Sequence, residues 1–293
     1  MRKKLFLLFV PLLLIMALQA QSYKLSFNPG NNDKFDMKSE VKIKIVQSMM
    51  GQEMEINMNS NIDNLYEITN GSGENKEVKI KYNKLKTGME MMGQTITMDS
   101  DSPDKDDPKN KIYNMLKESE ITALVKPNGD IVELKGVDEL AKKFENFSEA
   151  ELQGVKNYIE KDAIKSSFEQ SFKWYPEKEV KVGDAWTTVT TISSPYELKS
   201  NNNYTLIKVE NNVGYLTVKS DVTTDGSKKM QSNGMELEIN LTGKNEGEMQ
   251  VDMKSGMPVS SNIVQNLSGK MEIMGQEVPI SISNTIKTNT TKL

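Results

Sequence analysis

A chain of 293 residues with 37% hydrophobic and 27% charged side chains is long and apolar enough to bury a core, and 41 acids against 37 bases leave a net charge of −4. It has no histidine and no cysteine, and its single arginine is Arg2, so the imidazole base, the thiolate nucleophile and the guanidinium clamp are missing from nearly the whole chain. The lysines alternate with apolar residues instead of clustering, which excludes the basic patch that a nucleic-acid binder presents.

Residues 1–20 read as a signal peptide. Arg2, Lys3 and Lys4 precede an apolar run from Leu5 to Leu18, and Ala20 offers a small residue for cleavage. The run is shorter than the roughly 20 residues that cross a bilayer, so a removed leader is expected rather than a stable membrane anchor. With no cysteine at the cleavage point, lipid attachment there has no chemistry. The expected product is a single exported domain, 21–293, in the periplasm or outside the cell, with 34 lysines against 41 acids and a net charge of about −7.

From residue 21 to 135 the pattern is period two. Val41, Ile43 and Ile45 alternate with lysines, Met54, Ile56 and Met58 with polar residues, and Val78, Ile80 and Tyr82 with lysines, as in an antiparallel sheet with one wet face. Asn70-Gly71, Asn128-Gly129, Asn211-Asn212, Asp225-Gly226 and Asn233-Gly234 are the expected hairpin turns. The acid-rich stretch Asp99 to Asp107 lacks the glycine and glutamate of a calcium loop and contains Pro103, so it reads as a solvated loop.

Between 137 and 175 the period changes. Val137, Leu140, Ala141, Phe144 and Phe147 recur at three-four spacing after the Lys135-Gly136 turn. A capping box at Ser148 to Glu151 and a second apolar series, from Leu152, Val155, Tyr158 and Ile159 to Ile164, Phe168 and Phe172, then extend to Trp174-Tyr175-Pro176. Two or three amphipathic helices are expected there. A second β half follows over 177–293, and it resembles the first: Gly51 to Met58 matches Gly234 to Leu241 at an offset of 183, and Thr87 to Gln94 matches Ser268 to Gln276 at 182 after one insertion. Recurrent Met-Gly-Gln hairpin tips in a methionine-rich chain are the plainer alternative to a duplication. The expected class is α+β, mainly β: a large curved antiparallel sheet or sheets from two similar meander halves, with central helices on the concave face.

Methionine is the most unusual positive feature, with 17 of 19 falling after the leader. Thioethers are flexible and polarizable, so a methionine-lined face adapts to irregular apolar partners such as acyl chains, although the same residues also serve as core filler. Capture of Cu(I) by thioethers and hydrolysis by a carboxylate pair are weaker readings, since no co-ligand, Gly-x-Ser-x-Gly elbow, P-loop or dinucleotide fingerprint accompanies them. The expected ligand-lining residues are Met54, Met58, Met91, Met98, Phe144, Phe168 and Trp186. No catalytic residue, cofactor or metal is expected, and the alternative to a ligand carrier is a scaffold protein with a filled core.

The stretch Val180-Lys-Val-Gly-Asp-Ala-Trp186, after Trp174-Tyr175-Pro176, together with Tyr23-Lys-Leu-Ser-Phe-Asn-Pro-Gly30, resembles an uncharacterised family of exported β-rich proteins of Bacteroidota. That resemblance implies a curved sheet cradling helices, similar in outline to periplasmic lipoprotein-carrier half-barrels. It carries over no activity. Read from the residues, Gly183-Asp184 turns the chain into a strand that Trp186 anchors by packing.

Overall fold

The computed structural model describes residues 21–49, 51–145, 147, 161–192, 197–224, 229–232, 235–273 and 275–293. The leader, Met50, the capping box at 148–151 with the helical series up to Ile159, the turns Asp225-Gly226 and Asn233-Gly234, and Met274 lie outside the described residues.

One antiparallel sheet holds every named strand. In chain order these are β1 (Lys34–Met49), β2 (Gln52–Asn70), β3 (Lys76–Met91), β4 (Gln94–Asp99), β5 (Glu120–Val125), β6 (Ile131–Lys135), β7 (Ala185–Ile192), β8 (Leu198–Glu210), β9 (Val213–Thr224), β10 (Lys229–Ser232), β11 (Met235–Asp252), β12 (Pro258–Ile273) and β13 (Gln276–Lys292). Across the sheet they run β6-β5-β3-β2-β1-β13-β12-β11-β9-β8-β7, with β4 on β3 and β10 on β11. Three helices are described: α1 (Pro108–Lys117), α2 (Val137–Phe144) and α3 (Lys161–Phe172).

The long strands follow from the alternation. Opposed residues share a face, so the pairs Ile43 with Met58, Ile45 with Ile56 and Tyr66 with Ile80 set one apolar side, while Lys34, Lys42 and Lys44 stand on the other. Two-residue tips fix the register: Met49 pairs Gln52, Met91 pairs Gln94, Ser232 pairs Met235 and Ile273 pairs Gln276. Gly51, Gly93 and Gly275 have φ between 76° and 80°, which such tight turns demand. The repeat seen in the sequence coincides with these strands, because β11 begins 183 residues after β2 and β12 begins 182 after β3.

The edges of the sheet come together on α3, which packs against both β6 and β7. The sheet is therefore curled, open and bridged by a helix. One end of its inner face is closed by residues 23–28 and 172–180. Tyr23 and Val180 exchange backbone hydrogen bonds of 2.8 and 3.0 Å, Phe27 N–H donates to the Pro127 carbonyl at 2.8 Å, and Asn28 N–H donates to that of Ser255 at 2.8 Å. Phe27, Phe172, Trp174 and Tyr175 fill this plug, with the rings of Phe27 and Phe172 edge to face at 5.1 Å. Burial raises the Tyr175 hydroxyl pKa well above its ordinary value, and that hydroxyl donates to the Gly256 carbonyl at 2.9 Å. Strands of both halves contribute to this core, including Ile68 of β2, Ile80 of β3, Leu206 of β8 and Leu216 of β9.

The acid-rich stretch is a largely exposed loop over 100–107, anchored at its ends: Asp99 ends β4, Asp101 pairs Lys117 at 2.5 Å, and Asp107 caps α1 by accepting from Lys109 N–H at 2.9 Å, with Pro108 as the first helical residue. One expectation needs correction. The first half contains this helix, where only strands were expected. An aspartate followed by proline is a helix-start signal, and the density of carboxylates concealed it.

Candidate functional site

The two faces of the sheet differ in charge. Outward positions carry ion pairs such as Lys34–Glu67 at 2.6 Å, Lys44–Glu55 at 2.6 Å, Lys79–Glu120 at 2.9 Å and Lys86–Asp99 at 3.1 Å. The Lys34 and Lys81 ammonium groups hold the Glu67 carboxyl below its usual value. Such a face belongs in water, whereas strands facing lipid present apolar residues outward.

Inward, the opposite holds. Every inward position is uncharged from Phe35 to Gln47 on β1, Met54 to Ile68 on β2, Val78 to Met91 on β3, Trp186 to Ile192 on β7, Leu198 to Leu206 on β8, Gly214 to Thr224 on β9, Leu237 to Val251 on β11, Ser261 to Ile273 on β12 and Val278 to Thr290 on β13. Excluding charge from so large a surface in a chain that is 27% charged sets the chemistry of anything held there.

This inner face has two apolar regions. The first is the plugged core, where α2, α3 and the aromatic residues sit. The second lies toward the hairpin tips and includes Leu198, Val222, Leu241, Leu267, Ile280 and Ile282. It continues across β1 to β4 as Ile43 and Ile45, then Met54, Ile56 and Met58, then Met89 and Met91, then Ile96 and Met98, all half-buried. Cross-strand pairing makes these nine side chains contiguous: Ile43 faces Met58, Met58 faces Met89, and Met89 faces Ile96. Adjacent strands lie about 4.8 Å apart, so neighbouring side chains touch along the row.

Of the seven residues expected to line a ligand site, Met54, Met58, Met91 and Met98 fall together on this surface. Phe144, Phe168 and Trp186 belong to the plugged core instead. Trp186 stacks on Tyr204 with centroids 5.7 Å apart, and its indole N–H donates to the Trp174 carbonyl at 2.7 Å. Burial pushes the Tyr204 hydroxyl up to about 12.

A third feature had no counterpart in the sequence reading. One cross-strand row on the inner face reads Thr188, Asn202, Ser220, Asn245, Gln265 and Asn284 from β7 to β13, and it divides the two apolar regions. Its β8 end is closed: Asn202 Oδ1 accepts from the Ser200 and Ser220 hydroxyls at 2.7 Å each, and its Nδ2 donates to Thr190 Oγ1 at 3.0 Å. At the other end Gln265 Nε2 donates to Asn245 Oδ1 at 2.9 Å, while Asn284 Oδ1 is buried with no hydrogen-bond partner among the described residues.

Two surface depressions lie elsewhere, and none of the seven residues lines either. One, of about 390 Å³, sits beside the plug between Lys24, Pro127, Pro176 and Glu179; the other, of about 470 Å³, lies among Lys34, Glu67, Lys79, Glu120 and Lys135. Among the described residues no group of three or more His, Cys, Asp or Glu side chains is arranged to hold a metal ion, and no helix is long and apolar enough to cross a membrane.

A family model described as a family of unknown function (DUF6263) matches residues 73–258. No curated protein matches the chain in sequence. Among solved structures, the chain is similar to lipovitellin, described for its lipid–protein interactions, at 10% identity and a TM-score of 0.49 over 90% of this chain and 25% of that one. It thus spans about a quarter of the lipovitellin chain. It is also similar to the translocator domain of autotransporter NalP from Neisseria meningitidis, at 6% identity and TM-score 0.21 over 90% of each chain. A third similarity is to Pseudomonas aeruginosa OccK5 (OpdH), at 8% identity and TM-score 0.22, over 89% of this chain and 98% of that one.

Proposed function

The chain belongs to this family of unknown function, DUF6263, and from that premise we propose that it is an exported, non-enzymatic protein that holds an apolar ligand of the lipid class on the inner face of its sheet. One observation carries the reading: nine contiguous half-buried apolar side chains, five of them methionine, on the inward side of β1 to β4. An apolar surface of that extent costs free energy in water unless something covers it, and thioethers repack around partners of irregular shape. The charge-free inner face favours the same class of ligand. It also disfavours acid–base chemistry there, because the carboxylates and ammonium groups stand on the outer face.

Native mass spectrometry of the purified protein tests this, with Met58→Glu/Met91→Glu as the control variant. Co-purifying lipid that is lost in the variant, with an unchanged circular dichroism spectrum, is the expected result. A bare chain that also fails to take up lipid from added vesicles would overturn the reading and leave a scaffold with a filled core.

A further inference from the structure

Resting on the apolar-ligand reading above, we propose that the ligand is an uncharged amphiphile, of the kind formed by esterifying a long acyl chain to a polyol, and that Asn245, Gln265 and Asn284 hydrogen-bond its ester and hydroxyl groups. Asn284 stands directly opposite Ile43 on β1, and Ile43 opens the row that runs through Met58 and Met89 to Ile96. From Asn284 to Ile96 is four inter-strand steps of about 4.8 Å, about 19 Å along the curved face, which suits a long acyl chain. Polar and apolar surfaces therefore meet at one seam.

The hydrogen-bonding capacity on the two sides of the row is unequal. Asn202 and its partners Ser200, Ser220 and Thr190 are buried and hydrogen-bonded to one another, so that end serves structure. Asn245, Gln265 and Asn284 are half-buried, and one hydrogen bond is shared between the first two. A buried amide oxygen without a partner, such as Asn284 Oδ1, is costly and is relieved by a hydroxyl donor. The amide N–H groups of the row suit an ester carbonyl. Lys292, opposite Phe35, lies four inward positions along β13 from Asn284 and pairs Asp33 at 2.7 Å, and among the described residues of these strands no cation faces inward nearer the seam, so an ionised headgroup there would be desolvated without compensation.

The full chain, labelled with ¹³C at the methionine methyls, is titrated at pH 8 with 1-oleoylglycerol and separately with oleate, each below its critical micelle concentration. The two probes share a tail and differ in charge. We expect 1-oleoylglycerol to shift the Met58, Met89 and Met91 methyls with an affinity about tenfold or more above that of oleate. Asn284→Leu and Gln265→Leu, each with an unchanged melting temperature, are expected to weaken 1-oleoylglycerol about fivefold per lost hydrogen bond and to leave oleate unchanged. Equal affinity for the two probes, or leucine variants that bind 1-oleoylglycerol like the parent, would overturn this proposal and leave the apolar-ligand reading in place. Methyls that respond to neither probe would remove both.

Discussion

Replacing Gly256 with alanine tests how the plug is held. Gly256 has φ of 73°, and a Cβ there would lie 2.8 Å from the Ser26 carbonyl carbon, closer still to its oxygen, and 3.2 Å from Tyr175 Cε1. Neither neighbour can yield easily, since Ser26 lies between the buried Leu25 and Phe27 and the Tyr175 ring is packed on Trp174 at 4.0 Å. The left-handed backbone costs an alanine about 1 kcal/mol. Moving the 23–28 segment away breaks the Asn28–Ser255 and Tyr175–Gly256 hydrogen bonds, at about 1 kcal/mol each. The total is about 3 kcal/mol, a fall in Tm of roughly 6–12 °C for a domain of this size. Gly73→Ala is the matched control: its φ of 63° carries the same backbone strain, but nothing lies within 4 Å of the added carbon, so about 1 kcal/mol and 2–4 °C are expected. Thermal unfolding followed by circular dichroism reads both. Equal losses from the two variants would refute the close seating of residues 23–28 on the 252–257 turn.

Other perturbations probe the same scaffold. Trp186→Ala removes the stacking on Tyr204 and the hydrogen bond to the Trp174 carbonyl, and about 3 kcal/mol of stability should go with them in urea titration; a loss under 1 kcal/mol would contradict the anchoring role. For Asp252, burial raises the carboxyl pKa but hydrogen bonds from Ser255, Asn212 and Lys254 outweigh it and leave the folded value below 3.8. Its contribution is thus present above about pH 4 and lost as pH falls through the lowered value. Asp252→Asn should flatten the acid limb of the stability curve, and an unaltered limb would count against the hydrogen bonds assigned to that turn. Tyr175 and Tyr204 work at the other extreme: burial raises their folded values, so the stability they lend is intact below pH 10 and declines as pH climbs toward those values. Spectrophotometric titration should show the tyrosines ionising in two groups, the later one together with unfolding; a single early transition would deny their burial.

The strands were legible because period-two alternation survives wherever one face is dry, as at Val41 to Ile45 and Met54 to Met58. Tips were legible where Gly93, Gly129, Asn211 and Asn212 supply positive φ, whereas beyond Asn70-Gly71 the positive φ falls on Gly73. Grouping of Met54, Met58, Met91 and Met98 followed from those two facts, since a two-residue turn forces the register between neighbours. Placement of Phe144, Phe168 and Trp186 did not follow: a helical period tells which side of a helix is apolar and says nothing about which end of a sheet receives it. The amide row escaped notice because Asn201, Asn202 and Asn203 have the composition of a loop, whereas they lie in the middle of β8 with only Asn202 turned inward. Their signal was the alternation of Asn202 with Ser200 and Tyr204.

The pairing of β1 with β13 places residues from opposite ends of the described chain side by side in the middle of the sheet, in a ladder from Phe35 with Lys292 to Gln47 with Ile280. During synthesis, β1 and β2 can form their hairpin early, yet the free margin of β1 must wait for more than two hundred further residues before its mate emerges. Until then two separate ribbons, each with a bare hydrogen-bonding border, are the most that can assemble, and such borders invite wrong partners. Closing that seam is a slow, non-local event. Losing only the last strand would therefore open the sheet at its centre instead of trimming its rim.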